Sequence, residues 1–296
     1  MKQPIFTGSC VAIVTPFHKG GVDFEKLGQL IEFQIANGTD AICICGTTGE
    51  SSTQSMQEHM DTVEYAVKKV AGRCKVIAGS GSNDTAAALT LSLHAESAGA
   101  DGLLMVTPYY NKATQTGLIR HYEYVADRVH TPIILYHVPS RTNCSFKAST
   151  YAALAKHPMI NGIKEASGNF NLVSQTVALC GDEMNIWSGD DATVVPMMAM
   201  GGKGVISVLA NILPQVVHQM AHLCLDGNFA EAAKLQARYQ KLNDALFIEV
   251  NPIPVKTAMN LIGMDAGELR LPLCEMEPAN LATLQNVLRE YGLLKG

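Results

Sequence analysis

Lys164 stands near the end of a short apolar segment, in the sequence NGIKEASG at residues 161–168. A lysine in such a segment loses hydration, so its amine must reach solvent, find a partner or take part in chemistry. Glu165 is adjacent, but neighbouring side chains of a strand face opposite sides. At the mouth of a dry site desolvation disfavours the charged ammonium form, and a free amine there can form a Schiff base with a carbonyl substrate.

Polar residues also follow the other apolar segments. Arg141 has a planar guanidinium that suits a substrate carboxylate, and Tyr136 and Thr47 have hydroxyl groups that can relay protons. No cluster of His, Asp or Cys in these segments has metal-ligand spacing. A carbonyl-binding lysine beside a carboxylate-binding arginine indicates a 2-oxo acid aldolase. Each motif also has a non-catalytic alternative. Arg141 could form a surface ion pair, Tyr109-Tyr110 could serve packing, and GTTGE (46–50) could cap a helix.

The elements that must position these residues follow from periodicity. Eight short apolar segments rich in Val and Ile alternate with segments of helical period, which predicts a parallel sheet covered by helices. About eight such units in roughly 200 residues are typical of a closed (β/α)8 barrel. A doubly wound open sheet is the alternative, but its Gly-rich fingerprint is missing after the first strand. The predicted strands are Cys10–Phe17, Ala41–Cys45, Lys75–Ala78, Gly102–Thr107, Pro132–Val138, Ile160–Lys164, Met184–Ser188 and Gly204–Leu209.

The chain becomes helical throughout after residue 211. The predicted helices there are Pro214–Leu225, Phe229–Phe247, Pro254–Ile262 and Pro278–Tyr291. We therefore expect a barrel domain at residues 1–225 and a C-terminal helical domain at residues 226–296. In a barrel the active site forms at the carboxyl ends of the strands, where Lys164 lies. Lys256 competes with Lys164 as the reactive amine, but it falls in the helical region.

Composition argues against several classes of protein. Of the 296 residues 47% are hydrophobic and 17% are charged, and the net charge is −5. Nucleic acid and anionic membranes are therefore poor partners. No segment has the length of a signal-peptide core or a membrane span, so we expect a soluble, cytoplasmic protein. The eight cysteines lack a C-x-x-C motif and are expected to be free thiols.

Two histidines have the i,i+4 spacing of helical metal ligands, in HQMAH at residues 218–222. The glutamate of the zinc-protease motif is absent from this segment. We therefore interpret His218 and His222 as part of a solvated helix face, and we expect neither a metal nor a cofactor.

Nine motifs resemble, in order, those of the dihydrodipicolinate synthase family of pyruvate-dependent lyases: VAIVTPF, GTTGES, VIAGSGSN, VTPYYN, ILYHVPSRT, GIKEASGN, SGDDA, GGKGVISV and NPIPVK. The resemblance extends over nearly the whole chain. It implies a (β/α)8 barrel with a C-terminal helical domain, assembled as a homotetramer of two tight dimers. It also implies condensation of pyruvate with aspartate semialdehyde, the first committed step toward diaminopimelate and lysine.

The same resemblance implies roles for individual residues. Lys164 would carry the pyruvate imine, and Tyr136, Thr47 and Tyr110 would form a proton relay. Family members borrow the tyrosine matching Tyr110 from a neighbouring subunit. Arg141 would hold the carboxylate of aspartate semialdehyde. The pyruvate site would be lined by Thr48, Gly189 and Ile206.

The resemblance also implies a regulatory site, but two of its residues differ from those of lysine-inhibited family members. Lysine-inhibited members bind lysine at the dimer interface through residues matching Ser51, Ser52, Met56, His59, Asn83, Ala87 and Tyr109. Met56 replaces a histidine of those enzymes, and Ala87 replaces a glutamate. The lost carboxylate contact is worth about 1.5–3 kcal/mol, or roughly tenfold to a hundredfold in affinity. We therefore expect weak or absent inhibition by lysine.

Three other functions remain as alternatives. One is a lyase of N-acetylneuraminate or keto-deoxy sugars on the same scaffold, although such enzymes generally lack the arginine of SRT (140–142). Another is a non-catalytic homologue that senses pyruvate or lysine. The third is a metal-dependent aldolase.

Overall fold

The computed structural model describes residues 2–295, and in that range eight parallel strands close into a barrel. In chain order the strands are β1 Gly8–Ala12, β2 Phe17–His18, β3 Gly21–Val22, β4 Ala41–Ile44, β5 Lys75–Gly79, β6 Gly102–Val106, β7 Ile133–His137, β8 Ile160–Glu165, β9 Asn185–Ser188 and β10 Gly204–Ser207. Around the barrel the order is β1, β10, β9, β8, β7, β6, β5 and β4, and β4 pairs with β1 to complete the ring. The closed ring confirms the predicted (β/α)8 fold and excludes the open sheet.

Helices cover the outside of the barrel and continue after its last strand. Helix α10 (Phe229–Leu246) packs on α8 (Val194–Ala199) and α9 (Pro214–Leu225), and α12 (Pro278–Glu290) packs on α10 and α11 (Ile253–Leu261). No helix within residues 2–295 is long and apolar enough to cross a membrane. The domain boundary at residue 225 stays a prediction. The helices are α1 Phe24–Ala36, α2 Met56–Val70, α3 Thr85–Ala98, α4 Gln115–Ala126, α5 Pro139–Thr142, α6 Ala148–Leu154, α7 Phe170–Cys180, α8 Val194–Ala199, α9 Pro214–Leu225, α10 Phe229–Leu246, α11 Ile253–Leu261 and α12 Pro278–Glu290.

The first predicted strand, Cys10–Phe17, is wrong in its extent. Strand β1 ends at Ala12, and Phe17 belongs instead to the separate β2–β3 hairpin. The backbone N–H of Val14 donates to Asn211 Oδ1 at 3.1 Å rather than to a strand. A side chain from far along the sequence therefore ends the strand, while the other predicted strands differ from the observed ones by one or two residues at their ends.

Successive side chains of each strand alternate between the inside of the barrel and the layer beneath the helices. The interior cluster consists of Phe6, Cys10, Ala12, Ala41, Cys43, Ile77, Leu104, Ile134, Tyr136, Val138, Trp187 and Ile206. Leu135 and Ile163, by contrast, belong to the larger core under the helices. Tyr136 of β7 lies opposite Lys164 of β8 in the parallel register, so both side chains face the same side.

Candidate active site

Lys164 is buried near the carboxyl end of β8, with 6% of its surface exposed. Its Nζ lies 4.3 Å from the centroid of the Tyr136 ring. Burial raises the pKa of the Cys43 thiol, in the barrel interior, to about 11, and the charge of Lys164 opposes that rise. Within residues 2–295 the ammonium makes neither an ion pair nor a side-chain hydrogen bond. Burial without a counter-charge is rare for a lysine.

The neighbouring carboxylate, Glu165, faces away from the barrel interior. Its oxygens lie 3.0 and 3.2 Å from His137 Nδ1, and it accepts hydrogen bonds from the Tyr151 hydroxyl at 3.3 Å and the Ser167 N–H at 2.7 Å. His137 Nε2 accepts the backbone N–H of Phe146 at 3.3 Å, which leaves Nδ1 to donate to Glu165. Strand alternation thus keeps Glu165 from neutralising Lys164, as the sequence predicts.

Of the residues implied for the pyruvate site, Gly189 lies against Lys164 and Ile206 lies inside the barrel. A Cβ atom at Gly189 would be 3.1 Å from Lys164 Cγ and 2.8 Å from the Ala166 Cβ, so a larger residue there would crowd the lysine. The N–H of Gly189 donates to the carbonyl of Glu165 at 2.7 Å, which fixes this close approach. Ile206 is 1% exposed and belongs to the interior cluster.

A cavity of about 410 Å³ opens at the carboxyl ends of β4 to β7. Arg141 is the only permanently charged side chain among the described residues that line it, which suits an anionic ligand. Lys164 is not a lining residue and borders the cavity through Tyr136. The lining brings together residues with different implied roles. They are Thr47 and Tyr136 of the proton relay, Arg141 of the substrate-binding set, and Ser51, Ser52, Met56, His59, Ala87 and Tyr109 of the lysine set.

Asn251, to which the sequence reasoning gave no role, connects two of the predicted site residues. Its Nδ2 donates to Thr48 Oγ1 at 2.9 Å, and its carbonyl accepts from Arg141 Nη2 at 3.1 Å. Asn251 is 5% exposed and begins the motif NPIPVK. The motif was the sequence signal that could have drawn attention to Asn251. Its two partners, however, are 203 and 110 residues away in the chain and cannot be read from the sequence.

Lys256, the competing lysine, is held in a structural role. Its side chain is 1% exposed, and its Nζ lies 2.7 Å from Glu50 Oε1. It also donates to the carbonyls of Thr15 at 3.0 Å and Glu268 at 2.6 Å. Because all three donors of the ammonium are used, Lys256 is unsuited to act as the nucleophile.

Tyr110 stands apart from the other members of the predicted relay. It is 89% exposed, and its φ of 74° lies in the left-handed region that non-glycine residues seldom adopt. Asn83 is also outside the cavity lining, and its carbonyl accepts from Asn111 Nδ2 at 2.8 Å. Within this chain, therefore, neither side chain lines the cavity beside Tyr136.

Comparison with known proteins identifies the family. The sequence model of the dihydrodipicolinate synthetase family matches residues 5–291. The chain belongs to this family. It is 54% identical, over 99% of each chain, to the 4-hydroxy-tetrahydrodipicolinate synthase of Thermoanaerobacter sp. strain X514.

Solved structures of the dihydrodipicolinate synthetase family agree with this assignment. The enzyme of Aquifex aeolicus is 49% identical, with a TM-score of 0.96 over 98% of this chain and 100% of that one. The enzyme of Acinetobacter baumannii, solved in complex with pyruvate, is 40% identical, with a TM-score of 0.95 over 97% and 99% of the two chains. The family and the lyase function predicted from the sequence are thus confirmed, whereas the roles of individual residues stay predictions.

Proposed function

We propose that this member of the dihydrodipicolinate synthetase family condenses pyruvate with aspartate semialdehyde at Lys164, the activity of a 4-hydroxy-tetrahydrodipicolinate synthase. The supporting observation is the buried amine without an ion-pair partner, 4.3 Å from the Tyr136 ring. The names of relatives 54% identical over nearly the whole chain support the reaction. The protonated imine is itself the electron sink, so the reaction needs no cofactor.

The chemistry follows from the amine. Lys164 Nζ adds to the keto carbon of pyruvate, and loss of water gives a protonated imine. A proton leaves the methyl group to form an enamine, whose carbon attacks the aldehyde carbon of aspartate semialdehyde. The amino group of the condensed product then adds to the imine carbon, releases Lys164 and closes the ring. Tyr136 and Thr47 relay the protons.

Arg141 selects the second substrate in this proposal. Its guanidinium borders the cavity, and Asn251 accepts one of its N–H groups. The remaining donors match a carboxylate in a bidentate pair. With no second cationic side chain in the described lining, loss of Arg141 removes the charge that holds aspartate semialdehyde.

The relay is completed by Tyr110 from a second copy of the chain, and the active form is a cytoplasmic homotetramer built from two dimers. The exposure of the Tyr110 side chain supports this assignment, because a large aromatic group that is 89% exposed is available to a partner.

Borohydride trapping tests the nucleophile. We expect borohydride reduction with pyruvate to add one pyruvate-derived group to the peptide that contains Lys164, as read by peptide mass mapping. Lys164→Ala removes this adduct, and Lys256→Arg serves as the control that keeps it. An adduct on Lys256, or none on the folded enzyme, contradicts the proposal.

Activity on rival substrates tests the substrate class. Condensation with aspartate semialdehyde is expected to be faster than cleavage of N-acetylneuraminate or keto-deoxy sugar acids. Arg141→Met should raise the KM for the semialdehyde more than the KM for pyruvate. Equal activity on sugar acids would contradict the assignment of aspartate semialdehyde as the substrate.

The proposed enzyme is insensitive to lysine. No carboxylate lies among the described residues that line the cavity, and Ala87 and Met56 are both lining residues. The ammonium of a lysine side chain therefore has no charged partner there, at a cost of roughly tenfold to a hundredfold in affinity. Ala87→Glu with Met56→His should lower the lysine concentration for half inhibition by at least about tenfold, while Ala87→Gln should not. Full inhibition of the unaltered enzyme at sub-millimolar lysine contradicts this.

A further inference from the structure

His218 and His222 lie one turn apart on α9, with ring centroids 4.0 Å from each other. The two rings are tilted by 36° and present nitrogen atoms to the same side of the helix. Their side chains are 34% and 40% exposed, so solvent ions can reach them. The sequence predicts this pair as a solvated helix face, but tertiary structure adds a third group.

That group is Asp40, which immediately precedes β4. Asp40 Oδ2 lies 3.1 Å from His218 Nδ1, and both Asp40 oxygens lie 3.1 Å from His222 Nε2. The three potential ligand atoms all lie within 4.8 Å of one another. No other group of His, Cys, Asp and Glu side chains between residues 2 and 295 meets the same criterion.

We propose that Asp40, His218 and His222 form a binding site for one divalent transition-metal ion, with Zn²⁺ as the preferred occupant. Two imidazoles and a carboxylate are donors that suit Zn²⁺. Ligands about 2.0–2.1 Å from a tetrahedral ion lie about 3.3 Å apart, close to the 3.1 Å separations between each imidazole and the carboxylate. The fourth position is left for water.

Neighbouring residues orient the carboxylate and let the ligand groups come close together. The N–H and hydroxyl of Ser9 donate to Asp40 Oδ2 at 2.7 and 3.1 Å, the kind of outer contact that fixes a ligating carboxylate. A Cβ atom at Gly8 would lie 2.3 Å from Asp40 Oδ2 and 2.8 Å from His222 Nε2, so only glycine lets both groups approach the backbone here. Gly8 also has a φ of +95°, which independently favours glycine.

The location indicates a structural role for the ion. Gly8 and Asp40 lie at the amino ends of their strands, whereas Lys164 lies near the carboxyl end of β8. A bound ion links the segment before β4 to α9, across 178 and 182 residues of sequence. An ion that binds only the folded chain stabilises it in proportion to occupancy. We therefore expect an effect on stability and none on the condensation reaction.

Zinc titration of chelator-treated protein tests the site. By calorimetry the unaltered protein should bind one Zn²⁺ per chain, His218→Gln and His222→Gln should each bind at least about tenfold more weakly, and the double variant should not bind. His130→Gln is the matched control, because His130 also approaches a carboxylate, Glu96, at 3.4 Å but is 94% exposed and belongs to no cluster.

Spectroscopy and thermal unfolding distinguish zinc bound at this site from zinc bound by cysteine thiolates. X-ray absorption should show nitrogen and oxygen ligands at about 2.0–2.1 Å and no sulfur at about 2.3 Å. At free zinc about one hundred times Kd, the Tm should rise by about 5 °C in the unaltered protein and in His130→Gln, but not in the double variant. Zinc binding that persists in the double variant, or none at about 100 μM free zinc, overturns the proposal and leaves a hydrogen-bonded His–Asp cluster only.

Discussion

His59 and His121 are each 6% exposed, and burial lowers the pKa of each imidazole to about 4. One ring nitrogen of each, His59 Nδ1 and His121 Nε2, is buried without a hydrogen-bond partner in residues 2–295. Both rings are therefore neutral in the folded protein at pH 7. His59 lines the cavity as a polar but uncharged group.

These lowered pKa values predict an acid-sensitive fold. Each histidine takes up its proton near pH 6.5 in the unfolded chain but only near pH 4 in the folded chain. The free energy of unfolding therefore decreases as the pH drops from about 6.5 to about 4. Each histidine contributes a loss of about 3 kcal/mol once the change is complete. His121→Gln should flatten the decline measured by urea unfolding between pH 7 and 4.5. An unchanged slope, with His130→Gln as the exposed control, would disprove this assignment.

Asn251 contacts two of the proposed substrate-binding residues, one through its side chain and one through its backbone. Asn251→Ala removes the hydrogen bond to Thr48 but keeps the carbonyl that accepts from Arg141. We expect the KM for pyruvate to rise by about threefold to tenfold, while the KM for aspartate semialdehyde changes less. Steady-state kinetics with each substrate varied in turn measure this split. Equal changes in both KM values would indicate a general loss of structure instead.

At the scale of elements, the pair Lys256–Glu50 joins the C-terminal helices to the loop after β4. Both side chains are essentially inaccessible to solvent, at 1% and 0%. Glu50 also has a φ of 52°, so its backbone is held in the left-handed region, and its second oxygen accepts from the N–H of Arg270 at 3.1 Å. The pair thus fixes the loop that carries Thr47 and Thr48.

Removing one member of the Lys256–Glu50 pair should lower the stability of the fold. Lys256→Met leaves the Glu50 carboxylate buried without its cation, and we expect the free energy of unfolding to fall by about 3–5 kcal/mol. The double variant Lys256→Met with Glu50→Gln should recover part of that loss, because the uncompensated charge is gone. Urea unfolding of the three proteins measures both effects. A single variant as stable as the unaltered protein would show that the pair is not an anchor.

At the scale of the whole molecule, the proposed relay requires two chains. Tyr110→Phe is expected to lower kcat by about a hundredfold or more, since it removes a proton-transferring hydroxyl. Lys164→Ala should abolish turnover. Co-expression of the two variants should restore about a quarter of the activity, because a mixed dimer rebuilds one complete site from the two chains. Without such recovery, Tyr110 would have to act within its own chain or not at all.

The barrel and the direction in which Lys164 points are determined by local pattern. Continuous apolar strands alternating with amphipathic helices predict the closed parallel sheet, and strand alternation separates Lys164 from Glu165 because successive side chains face opposite sides. These features depend on neighbours within a few residues. The cap of α1 is local in the same way, since the Asp23 carboxylate accepts the Lys26 N–H at 3.0 Å.

Closure of the barrel decided the contacts that no local pattern contains. Asn251 meets Thr48 and Arg141, and Asp40 meets His218 and His222, only when segments more than a hundred residues apart are brought together. The i,i+4 spacing of the histidines was visible in the sequence, but the carboxylate between them was not. Sequence periodicity fixes which face of an element a side chain occupies, and tertiary packing alone decides what that face touches.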